Sequence, residues 1–274
     1  GIVGDGLDPG LALELAAAFA GVLPPGPVVL GRDGRTSGPV LGRAVVAGLT
    51  GCGREVVELD ICPTPTVQLA VEWLSAAGGV VVTASHNPAA WNGLKFVGPK
   101  GSFITADELD ALNTVREEGR YGWAFHDRLG SITERKDLLE RHVDEVTRLV
   151  DTRLIEAADL NVIADCCHGA GGTVIPSLLE RLGVEFRCLG AEPDGKFPRD
   201  PEPVPENLSE LCQAVVESRA DLGLAYDADV DRLALVGPDW RPLGEERTLQ
   251  LACRALLERG ERGDLAANLS TSRG

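Results

Sequence analysis

Apolar residues recur along this 274-residue chain in a repeating cadence of two periods. Leu11, Leu15, Ala18, Phe19 and Val22 share one face at helical spacing, and Pro24, Pro25 and Pro27 end that run. Val28-Val29-Leu30 then reads as a short buried strand. The cycle repeats with a helix over Pro39–Gly51, a strand over Glu55–Leu59, a helix over Thr66–Ala77 and a strand over Val80–Val82. Glu134–Val150 predicts a long, charged amphipathic helix with Leu138, His142, Val146 and Leu149 on one face. It connects to a second series: a strand over Leu160–Asp165, a Gly-rich turn, a helix over Val174–Leu182, and strands over Leu222–Tyr226 and Leu233–Val236. A helix over Leu243–Arg259 and a strand over Leu265–Leu269 follow. Strands alternating with helices imply crossover connections. The expected fold class is α/β, as tandem α/β domains, each a mixed, mostly parallel sheet covered by helices.

Composition changes this picture little. Hydrophobic content of 44% and charged content of 25% are those of an ordinary soluble globular protein. No apolar stretch approaches the ~18 residues of a membrane span, and the Gly-rich, acidic start is unlike a signal peptide. A cytoplasmic location is expected. The seven cysteines are odd in number and form no CxxC pair. Cys166 and Cys167 are adjacent, and Cys62, Cys188, Cys212 and Cys253 lie singly in apolar surroundings, as small buried hydrophobes in a reducing compartment do. A net charge of -16 argues against nucleic acid or an anionic membrane as a partner. An anionic substrate would need a local basic pocket and a metal to overcome that field.

Two short stretches carry candidate chemistry. Thr83-Ala84-Ser85-His86-Asn87-Pro88 presents a hydroxyl on a polar loop after the run Gly79-Val80-Val81-Val82. Asp227-Ala228-Asp229-Val230-Asp231-Arg232 places three carboxylates at alternate positions after Leu222–Tyr226 and adds a guanidinium. Both follow strands, and in open α/β sheets ligands collect at strand carboxyl ends. A hydroxyl nucleophile, a hard-cation site and an arginine together suit phosphoryl groups, because serine needs activation and the transferring group needs its charge neutralised. Asp227, Asp229 and Asp231 lack the Gly and Glu of an EF-hand at the required positions, which hold Arg232 and Pro238. Apolar strands on either side bury the carboxylates, so they need a cation. Mg²⁺ fits, since it prefers oxygen ligands and shares a phosphate oxygen.

These residues also resemble the α-D-phosphohexomutase family. The serine loop, Asn92-Gly93-Leu94-Lys95 after it, and the DxDxDR stretch match that family in order. So do Gly31-Arg32-Asp33-Gly34-Arg35-Thr36-Ser37, Asp165 with Gly169-Ala170-Gly171, and Phe197-Pro198 with Pro201-Glu202-Pro203 and Glu206-Asn207-Leu208. The resemblance implies a phosphoryl group shuttled by Ser85, moved between C1 and C6 of a hexose phosphate through a hexose 1,6-bisphosphate. It implies Mg²⁺ on Asp227, Asp229, Asp231 and the phosphorylated Ser85, contact of Arg232 with the phosphoserine, and His86 and Lys95 as basic residues near the serine. The spelling suits a phosphomannomutase/phosphoglucomutase or a phosphoglucosamine mutase. The family has four domains. Residues 1–135 resemble the first, with the phosphoserine loop, residues 136–243 the second, with the metal-binding loop, and residues 244–274 the start of an incomplete third. The chain is therefore expected to be a fragment. Its final segment, with apolar faces to cover, admits a homodimer or protease-sensitive mobility.

Blander readings stand beside these. Ser85 is also a turn-capping residue by type, His86 a neutral loop histidine, and Arg232 a partner for the aspartates it follows. Arg35 is expected across the domain interface or near the serine loop, and Arg32 in a structural role. Gly190–Lys196 spells GxxxxGK but continues with Phe197-Pro198, not the Ser/Thr and helix of a P-loop. Gly4-Asp5-Gly6 is no dinucleotide fingerprint, and His168 beside Cys166 and Cys167 lacks further ligands at zinc spacing. Rival functions are a haloacid-dehalogenase-type phosphatase with Asp227 as nucleophile, which leaves the serine loop unexplained, and an inactive module that holds metal and phosphate.

Overall fold

The computed structural model describes residues 1–264, which form two α/β units in sequence. A two-stranded pair, β1 (Ile2–Val3) and β2 (Gly6–Leu7), precedes α1 (Pro9–Val22). Asp8 starts α1 by accepting the Leu11 N–H, with Pro9 in the first turn, where its missing N–H costs nothing. There follow β3 (Val28–Arg32), α2 (Gly38–Gly51), β4 (Val56–Ile61), α3 (Thr64–Trp73), β5 (Gly78–Val82), β6 (Leu94–Val97), α4 (Ala106–Glu117) and β7 (Ile132–Glu134). The first sheet has the order β6-β5-β3-β4-β7, with β6 antiparallel to β5 and the rest parallel. Alternate residues of its strands feed opposite faces. Val28, Leu30 and Val80 pack under α1 and α2, while Val29, Val57 and Val81 pack under α3.

The second unit contains α5 (Asp137–Arg148), α6 (Thr152–Ala157), β8 (Asn161–Asp165), α7 (Ile175–Arg181), β9 (Glu185–Leu189), α8 (Ser209–Ser218), β10 (Leu222–Tyr226), β11 (Leu233–Val236), β12 (Pro242–Gly244) and α9 (Glu245–Glu258). Its sheet has the order β12-β11-β10-β8-β9. Pairs β10–β8 and β8–β9 are parallel, but β10–β11 and β11–β12 are antiparallel. This sheet is thus evenly split, because the short 227–232 loop folds β11 straight back on β10 and the short 237–241 connection folds β12 back on β11.

Helix α5 joins the units physically: Leu138 packs in the core of the first and Val143 in that of the second. Its apolar face stops short of Leu149, the C-cap residue, which is exposed. The helix expected to reach Ala77 ends at Trp73, where Ser75 takes φ 48° and breaks it. Helix α9 lies against β11 and β12, with Leu249, Leu251, Leu256 and Leu257 exposed. The strand expected over Leu265–Leu269 lies outside the described residues. Among those described, no helix is long and apolar enough to cross a membrane.

The units meet closely where side chains would obstruct. A Cβ on Gly195, itself at φ 68°, would fall 2.4 Å from the Gly34 oxygen, and one on Gly34 would fall 2.7 Å from that of His168. Glycine at these two positions lets the first βα turn of one unit nest against the 193–197 loop of the other.

Candidate active site

Strand β5 is wholly buried and ends at Val82, so the loop that follows emerges at the carboxyl edge of the sheet. Arg35 shapes it. Its guanidinium donates to the carbonyls of Ser85 (2.7 Å), Asn87 (2.6 Å), Pro88 (2.7 Å) and Trp91 (3.0 Å), and its Nε to Asp33 Oδ2 (3.0 Å). Arg35 and Asp33 are both fully buried. Asp33 also accepts from Thr83 Oγ1 (2.7 Å), and Thr83 Oγ1 accepts the Ser85 N–H (2.9 Å). Burial pushes Asp33 up to about 6, against the pull of Arg35 and Thr83. Ser85 adopts φ 52°, a left-handed conformation that a non-glycine residue keeps only when its surroundings fix it. The Phe197 ring covers Arg35, with the guanidinium carbon 4.9 Å from its centre. Arg35 therefore meets both expectations, since it holds the serine loop and touches the other unit. Arg32 pairs with Asp60 (2.7 Å) and is structural.

The aspartate loop opens from β10 in the second unit. Asp227 and Asp229 are fully buried and Asp231 lies at the rim. Asp227 Oδ1 accepts the Arg232 N–H (3.2 Å), and its Oδ2 accepts from Ser85 Oγ (3.2 Å). Asp229 Oδ2 accepts from the Thr64 hydroxyl and from Lys95 Nζ (2.6 Å), and Lys95 also reaches Asp231 Oδ2 (2.6 Å). Thr64 starts α3 and Lys95 lies on β6, so both donors come from the first unit. Burial, then Asp229 and Asp231, raise Asp227 to about 9. Burial alone would lower Lys95, but the two aspartates outweigh it and its pKa ends raised.

Ser85, Lys95 and the three aspartates thus converge from both units. His86 Nδ1 lies 3.3 Å from Ser85 Oγ, and its Nε2 lies 4.0 Å from Glu202. Arg232 directs its guanidinium to Glu202 (3.2 Å). Glu202 stands between His86 and Arg232, a placement its Pro-Glu-Pro setting does not reveal. Arg199 is a further addition: it donates to Asp165 Oδ2 (2.6 Å) and to the Tyr226 carbonyl (2.8 Å), bracing the start of the aspartate loop. His168 bonds Asp194 (3.0 Å), away from any metal cluster.

One oxygen from each of Asp227, Asp229 and Asp231 lies within 4.8 Å of the others. Asp229 Oδ1 is buried with no hydrogen-bond partner. A buried carboxylate oxygen left unpaired is costly, and an all-oxygen donor set suits a hard divalent cation. The residues fit such an ion.

Two matches place this geometry among known proteins. Residues 1–121 match the model for the phosphoglucomutase/phosphomannomutase alpha/beta/alpha domain I, and residues 140–240 that for domain II. The chain belongs to the phosphoglucomutase/phosphomannomutase family. A probable phosphoglucosamine mutase of Methanopyrus kandleri is 36% identical over 273 residues, covering 99% of this chain and 60% of the relative. A phosphoglucomutase/phosphomannomutase of Thermococcus kodakarensis is 33% identical, over 99% of this chain and 61% of its own length. A family protein of known structure from Burkholderia thailandensis superposes with a TM-score of 0.83 at 30% identity, covering 95% of this chain and 57% of that one. The structure called a putative phosphomannomutase from Thermus thermophilus gives a TM-score of 0.86 at 27% identity, over 96% and 61%. The chain spans about three fifths of the length of these relatives.

Proposed function

We propose that this chain carries the phosphoryl-donating part of a phosphohexomutase active site. Ser85 is the phosphoryl carrier, and Mg²⁺ is the ion held by Asp227, Asp229 and Asp231 with an oxygen on Ser85. The observation that carries this reading is the approach of Ser85 Oγ to Asp227 Oδ2 at 3.2 Å, beside the unpartnered Asp229 Oδ1. A bound divalent ion supplies neutralisation of the charge on a transferring phosphoryl group. The protein residues do the rest. Arg35 fixes the loop so that the Ser85 oxygen faces the cluster. In transfer, the bond from phosphorus to Ser85 Oγ breaks as a sugar hydroxyl bonds to phosphorus and gives up its proton. His86, 3.3 Å from the serine oxygen, is placed to hold that proton, and Lys95, kept charged by Asp229 and Asp231, to offset phosphate charge. Arg232, tethered by Glu202, moves onto the phosphoserine. Reversal with the sugar turned over returns the other phosphoryl group to Ser85, so phosphate passes between C1 and C6.

The substrates in this reading are hexose phosphates and a hexose 1,6-bisphosphate, in the manner of a phosphomannomutase/phosphoglucomutase. A glucosamine phosphate is the second reading, favoured by the names of relatives such as that of M. kandleri. Division at residues 135 and 243 and a cytoplasmic location belong to the same proposal. Residues 1–274 alone are expected to bind ion and phosphate near Ser85 with negligible turnover, since the relatives are longer. Intact mass spectrometry tests the carrier: one phosphoryl adduct on active protein, absent from Ser85→Ala. Full mutase activity in that variant would refute the assignment, and a panel of mannose, glucose and glucosamine phosphates decides the sugar.

A further inference from the structure

Glu202 sits in the 193–208 loop between two buried prolines, Pro201 and Pro203. Proline fixes its own φ and restricts the residue before it, so the backbone at Glu202 has little freedom. The Glu202 carbonyl accepts the Val204 N–H (2.9 Å) and the Asn207 side-chain amide (2.9 Å). Arg199 anchors the same stretch by donating to the Pro201 carbonyl (3.2 Å) and to Asp165 Oδ2 at the end of β8 (2.6 Å). A solvated surface carboxylate needs no such pedestal. This one is held at the site, with its Oε1 3.2 Å from Arg232 Nη1 and 4.0 Å from His86 Nε2.

Arg232 closes the aspartate loop. Its backbone N–H donates to Asp227 Oδ1 (3.2 Å), while Asp227 Oδ2 accepts from Ser85 Oγ (3.2 Å). One carboxylate therefore bridges the Arg232 backbone and the serine oxygen, so the arginine side chain starts a single group away from where a phosphate on Ser85 sits. Its guanidinium donates to Glu202. Lys95 is likewise engaged, by Asp229 and Asp231 at 2.6 Å each. A phosphate arriving at Ser85 thus meets an arginine already given to a carboxylate, and a guanidinium binds both anions through the same N–H groups.

We propose that Glu202 is a positioning residue that competes with phosphate for Arg232. With Ser85 unmodified, Glu202 holds the guanidinium beside the serine loop and matches its charge. A phosphoryl group on Ser85 takes the arginine over, and Glu202 takes it back when the group departs to a sugar hydroxyl. The arginine has an anionic partner in both states. Its pull on the phosphoserine is then the difference between two ion pairs, not the full strength of one. Glu202 thereby lowers the affinity of the site for phosphate and keeps the phosphoserine from being held too firmly to react. The inference rests on Ser85 as the phosphoryl carrier. It goes further by assigning the phosphate affinity of the site to a carboxylate that hydrogen-bonds neither the serine nor the three aspartates.

The test is a calorimetric titration with inorganic phosphate at fixed Mg²⁺ and low ionic strength, with urea unfolding on the same samples. Both side chains are partly exposed, 31% for Arg232 and 41% for Glu202, so their ion pair is of modest strength. Glu202→Gln keeps the shape and removes the charge, and should bind phosphate roughly two- to fivefold tighter with little change in stability. Arg232→Ala should weaken binding, and adding Glu202→Gln to it should bring no gain, since the carboxylate then has nothing to withhold. An equal gain without the arginine would reduce Glu202 to general repulsion of anions and overturn the proposal. So would no gain in Glu202→Gln, or no measurable phosphate binding in any variant. Should Glu202→Gln fail to fold, Glu202→Asp decides: its carboxylate, one methylene short of Arg232, should give a smaller gain, and none would overturn the proposal. A phosphoryl adduct on Ser85 without the gain fails this proposal alone, and the gain without an adduct fails the carrier reading alone.

Discussion

The serine loop and the aspartate loop are built alike and finished differently. Each leaves the carboxyl end of a buried parallel strand, β5 or β10, and each is braced by an Arg–Asp pair, Arg35 with Asp33 or Arg199 with Asp165. In the first, Arg35 binds four loop carbonyls, and the one strained residue, Ser85, is held by that clamp. Its polar groups are met by the protein. In the second, Arg199 braces only the loop's start, through the Tyr226 carbonyl, and the carboxylates beyond it are left short of positive charge. Asp229 Oδ1 has no partner and Asp227 is raised to about 9. One loop is complete as folded and positions a neutral hydroxyl; the other is arranged for a cation brought from solution.

The largest effect should come from the hydroxyl itself. Ser85→Ala leaves the Arg35 clamp intact, because its contacts are to backbone, so the fold should be unchanged. Phosphoryl transfer by the active enzyme should fall by roughly a thousandfold or more. A variant retaining transfer with unaltered phosphate content would show that the clamp positions something other than the carrier.

Removing the clamps should separate the loops next. Arg35→Ala strands the buried Asp33 and four carbonyls, at a cost of about 3–5 kcal/mol in urea unfolding. Arg35→Lys should recover little, since an ammonium cannot span the same fork of partners. Arg199→Ala should cost about 2–3 kcal/mol, because Arg199 and Asp165 sit nearer solvent and water can replace part of what is lost. Equal losses would mean that the two loops are braced to the same degree.

A smaller effect concerns protons. Asp227 has a pKa raised from 3.8 to about 9, so near neutral pH it holds a proton that an ion must displace. Binding of Mg²⁺ or Mn²⁺ should release about one proton, and affinity should rise roughly tenfold per pH unit until the pH passes the raised pKa. Calorimetry in buffers of different ionisation heat measures the release directly. Binding without proton release, at an affinity flat from pH 6 to about 8, would contradict the electrostatic contrast between the loops.

Much of this was legible in the residues. The strand cadence located β3, β4, β5, β8, β10 and β11, and hence the strand ends that carry both loops. Elements whose apolar signal is thin were not legible. Helix α4 buries only Leu112 fully and is specified by its Thr105–Glu108 capping box, and β9 is a half-exposed edge strand with Glu185 and Arg187 outward. Strand β6 is four residues with Lys95 in its middle, so the residues read as a motif alone also form a strand. Partnerships between units were the least visible. Lys95 and Asp229 are 134 positions apart, Thr64 and Asp229 165 apart, and no local pattern marks such pairs. The equal balance of parallel and antiparallel pairs in the second sheet follows from the lengths of two short connections, 227–232 and 237–241, which periodicity does not count.

Thr64 offers the finest test of what serves the aspartate loop. Its hydroxyl, buried at the start of α3, donates to Asp229 Oδ2, while its N–H donates to the Asp229 carbonyl (2.9 Å). Thr64→Val removes the first bond, keeps the second and nearly preserves volume. Lys95 still holds Asp229 Oδ2, so the carboxylate is not stranded, and the loss should be about 1 kcal/mol, or roughly fivefold in ion affinity. The direction is set by orientation: with Oδ2 tied to the first unit, Oδ1 is the oxygen left without a hydrogen-bond partner, and slackening that tie lets the carboxylate rotate. Titration with Mn²⁺ followed by its paramagnetic signal reads affinity, and urea unfolding reads stability on the same sample. Weaker ion binding with little change in unfolding would make Thr64 a positioning residue for the cation site. Unchanged ion binding with a loss of stability would instead make it a seam contact between the units, and the cation site would then depend on its own loop and Lys95 alone.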